Sequence, residues 1–123
     1  MGYRELQVYE RSYRAGLAIY EMTKTFPEEE RYGIVSQMRR ASTSIPATIA
    51  EGYAKRDSQN EFRRFLQMAL GSANEMNVWL DYAKDLGYIS TEKHQKANRE
   101  YNELGKMLRA LIEAVSKEKE SSD

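Results

Sequence analysis

Apolar residues recur every three or four positions along almost the whole chain, and this spacing restricts the fold more than any other feature. In the first segment the apolar residues are separated by 3, 4, 4 and 3 positions: Leu6, Tyr9, Tyr13, Leu17 and Tyr20. Such spacing places side chains on one side of an α-helix. No segment alternates apolar and polar residues in the way a half-buried strand does. The chain is therefore predicted to be all-α.

Two prolines and several capping signals divide this pattern into four helices, which we predict at about residues 3–25, 28–55, 58–86 and 90–117. Phe26 precedes Pro27 and is pushed out of the α region, which ends the first helix. The acidic run Glu28–Glu30 suits the positive end of a second helix. The sequence SQNE, beginning at Ser58, has the form of a capping box for the third helix.

Four amphipathic helices joined by short connections favour an up-down-up-down antiparallel four-helix bundle. A chain of 123 residues is long enough for one domain of this kind and too short for two. We therefore predict a single domain over residues 1–123, with a frayed tail at residues 118–123.

The composition supplies little of the chemistry that an enzyme or a metal site needs. There is no cysteine, and His94 is the single histidine, which we expect to be a solvated surface residue. No Gly-rich phosphate loop and no serine–histidine pair is evident. We expect no catalytic residue, no metal and no cofactor. No run reaches the ~20 apolar residues of a membrane span, so we expect a cytoplasmic protein without a membrane partner.

The second predicted helix carries small residues on the face opposite its apolar core residues: Thr43, Ala47, Ala50 and Ala54. The third helix carries bulky residues outside its core seam: Met68, Trp79 and Tyr82. A helix that is apolar or small on two faces is expected to have two partners. These seven residues are therefore predicted to form an oligomer interface. The alternative is that the alanines raise helix propensity and face water.

Pro46 falls inside the second helix and cannot donate a hydrogen bond to the carbonyl of Ser42. It is expected to kink the helix. The hydroxyls of Ser42, Thr43 and Ser44 are candidates to satisfy the freed carbonyl.

Lysine plus arginine equals aspartate plus glutamate, 19 of each, so net charge alone predicts no attraction to nucleic acid. The basic residues are nevertheless concentrated on the second and third helices: Arg39, Arg40, Lys55, Arg56, Arg63 and Arg64. They are candidates for binding phosphates. The alternative is structural ion pairs, of Arg39 or Arg40 with Glu75 and of Arg63 or Arg64 with Glu51.

Three sequence segments resemble those of a known family: FPEEERYGIVSQMRRASTSIPATIAEGYAKR at 26–56, FRRFLQMALGSANEM at 62–76 and LGYIS at 86–90. They resemble the four-helix-bundle proteins encoded in intervening sequences of bacterial 23S rRNA genes, a family similar to the accessory variability protein of diversity-generating retroelements. The resemblance implies a homopentameric ring of four-helix protomers. In the retroelement branch it also implies nucleic-acid binding through basic residues and a reverse transcriptase as partner. For the intervening-sequence branch it implies no particular biochemical activity.

We therefore expect a non-enzymatic homo-oligomer, a pentamer by resemblance, that binds RNA or DNA without sequence specificity. The alternative is an oligomeric scaffold or a reverse-transcriptase accessory protein that does not itself bind nucleic acid.

Overall fold

The computed structural model describes the backbone of residues 2–122 and the side chains of residues 2–117. Within that part of the chain there are four α-helices and no strand: α1 Gln7–Thr23, α2 Ile34–Ala54, α3 Gln59–Asp85 and α4 Thr91–Ser122. Short 3-10 turns occupy Tyr3–Glu5 and Glu28–Glu30. The prediction of an all-α fold is confirmed. The predicted frayed tail at residues 118–123 falls outside the described side chains.

Each helix packs against its neighbours in sequence, and α4 closes the bundle by packing against α1. Contacts between α2 and α3 show their relative direction. The hydroxyls of Ser44 and Ser72 are hydrogen-bonded, with 3.0 Å between their oxygens, and four residues earlier Arg40 pairs with Glu75. Because residue numbers fall on α2 as they rise on α3, the two helices are antiparallel. The α1–α4 pair has the least extensive contact of the four.

The core lies along the axis of the bundle and receives side chains from every helix. Its most completely buried large side chains are Ile19, Met38, Ile45, Ile49, Leu66, Met76, Leu80, Tyr101, Leu104 and Leu108. Apolar burial of this kind is the main force that holds helices together, at about 25 cal/mol per Å². A closed ring of side-chain amide hydrogen bonds between Asn77, Asn98 and Asn102 adds polar contact between α3 and α4.

The predicted phase of α1 holds for Leu6 and Tyr9, which pack against the core, and is wrong for the rest of the helix. Tyr13, Leu17 and Tyr20 are 51%, 54% and 39% exposed, whereas the core-facing residues include Val8, Ser12, Ala15, Gly16 and Ile19. Both rows repeat every three or four residues, so periodicity alone does not decide between them. Small residues in the buried row let α1 approach α2 closely: a Cβ added at Gly16 would lie 3.7 Å from the carbonyl oxygen of Ser42.

Two predicted helix starts are also wrong. Leu6 is extended, with ψ 129°, so α1 begins at Gln7 rather than near residue 3. The acidic run forms a 3-10 turn, and α2 begins only at Ile34. The side chain of Glu30 instead accepts a 2.7 Å hydrogen bond from the Tyr88 hydroxyl, which raises the pKa of Tyr88. The loop is thereby held against the α3–α4 connection.

The predicted capping box of α3 is half formed. Ser58 Oγ accepts from the backbone N–H of Glu61 over 3.2 Å, but the Ser58 N–H donates to the Lys55 carbonyl and the Glu61 carboxylate bonds Arg64, so the reciprocal bond of a capping box is not made. At the other end of α3, Gly87 has a φ of +82°, a conformation that glycine adopts readily and other residues rarely do.

Pro46 is buried inside an α2 that continues on both sides of it. The predicted compensation by hydroxyls is wrong, because these hydroxyls donate to other carbonyls. Ser42 donates to Arg39, Thr43 to Arg39 and Arg40, and Ser44 to Ala41.

Candidate oligomer and nucleic-acid surfaces

The small residues of α2 lie on its outer side, as predicted. Thr43, Ala47 and Ala54 are exposed, and Ala50 is half-buried. We call these four residues the α2 outer stripe. The Thr43 hydroxyl donates to the backbone of its own helix, so the stripe presents methyl groups rather than free polar groups. Its contact with another subunit stays a prediction.

Bulky residues of α3 form a second exposed row. Met68, Tyr82 and Leu86 are 48%, 55% and 53% exposed, and with the half-buried Trp79 they make up what we call the α3 flank. In the register set by the Ser44–Ser72 and Arg40–Glu75 contacts, Met68 lies level with the stripe and the other members lie beyond its Thr43 end. The indole Nε1–H of Trp79 donates to Glu75 over 2.9 Å, and its ring lies 6.0 Å from that of Tyr82. The hydrogen bond to Glu75 fixes the orientation of the Trp79 ring, and part of that ring remains exposed to solvent.

The sequence interpretation missed a third row, on α1. We call the half-buried Tyr9 and the exposed Tyr13, Leu17 and Tyr20 the α1 tyrosine stripe. The rings of Tyr9 and Tyr13 stack with their centres 6.0 Å apart. Because α2 packs against both α1 and α3, its small residues lie between the α1 tyrosine stripe and Met68 of the α3 flank. The sequence does contain a signal for this arrangement. Ser12, Ala15 and Gly16 form a second row on α1 with the same period, and it is this row of small residues that is buried.

Arg39 and Arg40 are both engaged within the protomer. The guanidinium Nε of Arg39 donates to Thr23 Oγ1 over 3.0 Å, and its Cζ lies 4.6 Å from the centre of the Tyr20 ring. Arg40 pairs with Glu75 and donates to Gln37. The predicted ion pair with Glu75 is therefore confirmed for Arg40, and both arginines tie α2 to a neighbouring helix.

The remaining four basic residues lie around the α2–α3 connection and are all exposed. We call Lys55, Arg56, Arg63 and Arg64 the turn cations. Lys55 Nζ lies 4.7 Å from the centre of the Phe65 ring, and Arg56 lies 4.1 Å from that of Tyr53. Cations stacked on aromatic rings keep their outer side open to a phosphate. Arg63 makes no ion pair with any residue that the structure describes.

The predicted pairing of Glu51 with Arg63 or Arg64 is wrong. Arg64 instead bonds Glu61, one turn away on α3, with Nε 2.8 Å from Oε2. Their hydrogen bond raises the pKa of Arg64 and lowers that of Glu61. Glu51 is exposed and has no ion-pair partner among residues 2–117. A neighbour within the same helix needs less ordering than one across the turn.

His94 is not the solvated residue that we expected. Its side chain is only 13% exposed, and its Nε2 lies 2.7 Å from Asp81 Oδ1 across the α3–α4 contact. In the described part of the chain, no three histidine or carboxylate side chains are close enough to hold a metal ion. No helix among the described residues is long and apolar enough to span a membrane.

Comparison with known proteins identifies a family and several related structures. A family model described as 23S rRNA-intervening sequence protein matches residues 4–110. A crystal structure from Bacteroides thetaiotaomicron, described as a protein of unknown function from the S23 ribosomal protein family, is 29% identical to the chain. It superposes with a TM-score of 0.78 over 86% of this chain and 95% of its own. No curated protein is similar enough to count as a match.

Proposed function

Because the chain belongs to the family of 23S rRNA-intervening sequence proteins, we propose that it is a non-enzymatic homo-oligomer that binds RNA or DNA. The observation that carries the proposal is the set of exposed apolar side chains on α1 and α3, the two helices that pack against α2 with its small outer residues. The pentameric number comes from the family resemblance.

Exposed rows on α1, α2 and α3 support self-association. Large exposed apolar residues that cluster on a soluble protein mark an interaction site. Aromatic side chains dominate the energy of such sites. A row of small residues is also complementary in shape to a bulky row of another copy. A contact between unlike surfaces of identical subunits is heterologous, and when its rotation closes it generates a ring.

Ala47→Arg is expected to dissociate the oligomer. The substitution places a long charged side chain in the middle of the α2 outer stripe, where a subunit contact would have to desolvate it. The measurement is mass in solution by light scattering at high micromolar protein. We expect about five times the 14.3 kDa protomer mass for the natural sequence and a monomer for the variant.

The matched control is Ala114→Arg, an equally exposed alanine on α4, which should leave the mass unchanged. A monomeric natural protein, or equal dissociation by the two substitutions, would contradict the proposed interface.

The turn cations are the part of the surface best suited to phosphate. Arg39 and Arg40 are already used between helices, so we leave them out of the proposed site. In a ring whose bundles run along the symmetry axis, every α2–α3 connection lies at the same end. Five copies of the turn cations would then form a continuous positive rim, which binds phosphates without reading bases.

Binding is expected to fall steeply with salt, because each neutralised phosphate releases counterions. Arg63→Glu should weaken binding of a structured RNA at low salt and reduce the slope of log affinity against log salt by about one or more. Fluorescence titration at several ionic strengths measures both. Arg31→Glu is the control, since Arg31 is also exposed but lies at the opposite end of the bundle. Absence of micromolar binding even at low salt would refute the nucleic-acid role.

A second candidate is a protein-interaction scaffold or reverse-transcriptase accessory protein without nucleic-acid binding of its own. It is favoured by the carboxylates of Glu51, Asp57 and Glu61 around the turn cations, which offset most of their charge. On this alternative, substitutions in the α3 flank weaken capture of a protein partner while Arg63→Glu changes nothing.

A further inference from the structure

The contact between α1 and α4 opens into a groove of about 380 Å³ that the proposed surfaces do not use. Alanines face each other across it, Ala15 and Ala18 from α1 and Ala97 from α4, and Met22 lies at one side. Because alanine side chains are short, the two helices leave space where larger residues would fill it. The volume lies at the lower end of the range for small-molecule sites.

Positive side chains outnumber negative ones around this groove. Lys93 and Lys96 line it, and neither ammonium group has a hydrogen-bond or ion-pair partner among the described residues. The one carboxylate in the lining, Glu100, accepts two hydrogen bonds from Arg11, at 3.0 and 2.9 Å. Arg14, the remaining cation, pairs with Glu10 over 3.1 Å. Two lysines therefore face the groove without a compensating carboxylate.

A second groove on the same helix pair is lined by no lysine or arginine, whereas a third depression between Arg11 and α4 is bordered by Lys96, Arg99 and Lys106. The second groove lies on the other side of the Arg11–Glu100 pair and is lined by Leu6, Val8, Met107 and Leu111, with Glu5 as its charged residue. The first two grooves have apolar linings, whereas the third depression is lined by charged residues and Asn102. Of these three, only the first combines an apolar wall with unpaired lysines.

From this juxtaposition we propose that the groove lined by Ala15, Ala18, Met22 and Ala97 binds a small amphipathic anion, with an apolar chain against the alanines and a carboxylate or phosphate head at Lys93 and Lys96. Apolar burial supplies the affinity, about 0.8 kcal/mol for each buried methylene. The lysines select the sign of the head group, and they would do so most strongly at low salt. The site is independent of the proposed ring and of the turn cations.

The probes are decanoate and decyl phosphate, with decanol and decyltrimethylammonium for comparison, all below their micelle concentrations. Met22 reports on the groove through its ¹³C-labelled methyl signal in the full-length protein. We expect this signal to shift saturably with the two anions, at least tenfold more weakly with decanol, and not with the ammonium compound. The relative affinity of decanoate and decyl phosphate identifies the preferred head.

The paired substitution Lys93→Glu and Lys96→Glu should weaken decanoate binding at least tenfold, and Ala18→Phe should abolish it by filling the groove. Lys106→Glu and Ala114→Phe are matched exposed controls on α4 and should change nothing. Equal shifts at all methionine methyls, or unchanged affinity after the lysine reversal, would overturn the proposal. A Met22 signal that responds to protein concentration alone, or only to an acidic helical peptide, would assign the groove to a protein partner instead.

Discussion

Replacing Gly52 by alanine is expected to lower the free energy of unfolding by about 1–3 kcal/mol. Gly52 is buried in the last turns of α2, and a Cβ added there would lie 2.7 Å from Cβ of Phe65. The Cβ of Phe65 is fixed to the α3 backbone, so a rotamer change cannot move it away. The helices must separate instead. In a helix interior without such a contact, glycine-to-alanine would add up to about 1 kcal/mol of stability.

Gly105→Ala is the matched control. Gly105 is a buried helical glycine on α4, where a Cβ would meet Leu70 Cδ1 at 3.6 Å and Arg109 Nη1 at 3.7 Å, both ordinary van der Waals distances. We expect it to be neutral or slightly stabilising. Chemical denaturation at one fixed protein concentration compares the two, because the stability of an oligomer depends on concentration. Equal stability of the two variants would show that α2 and α3 are not packed as closely as the structure has them.

The number, type and order of the helices could be predicted because their apolar spacing persists over many turns. Periodicity is strongest as a signal when it repeats. The same signal failed on α1, where a row of tyrosines and a row of small residues have the same period. Large aromatic residues normally indicate the core. Here α1 lies so close to α2 that the tyrosines do not fit between the two helices. That close approach is the contact between Gly16 and Ser42, which are 26 residues apart in sequence.

Some ion pairs of the candidate site could likewise be predicted from the sequence, and others could not. Antiparallel register brings both Arg39 and Arg40 near Glu75, and the structure shows that Arg40 forms the pair. The register does not predict the ion pair between Glu61 and Arg64 within α3. It also does not predict the hydrogen bond from Tyr88 to Glu30, 58 residues away in sequence. These outcomes depend on competition between partners, and a single sequence contains no measure of their relative energies. Which basic residues remain free for phosphate could therefore be decided only from the folded arrangement.

Tyr101→Phe is expected to raise the free energy of unfolding by about 1–3 kcal/mol near neutral pH. The ring of Tyr101 is 2% exposed on α4, and its hydroxyl has no hydrogen-bond partner among the described residues. A buried hydroxyl without a partner costs free energy that an apolar atom in its place does not. Phenylalanine keeps the ring and its packing, so the substitution removes the polar group with little loss of contact.

The advantage of the phenylalanine variant should grow in alkali. Burial, with a smaller effect from the Glu100 carboxylate, raises the pKa of Tyr101 in the folded protein, whereas an unfolded tyrosine titrates near 10. The folded state therefore holds the proton more tightly than the unfolded state. The stability that this provides is fully present below about pH 10 and is lost as pH rises toward the folded pKa, at roughly 1.4 kcal/mol per pH unit. Denaturation of both proteins at pH 7 and pH 11 measures the difference, in which all other titrating groups cancel.

Tyr32→Phe, at an 86% exposed position, should show neither effect. A difference between Tyr101→Phe and the natural protein that is the same at both pH values would mean that the Tyr101 hydroxyl reaches solvent or a partner in the folded state.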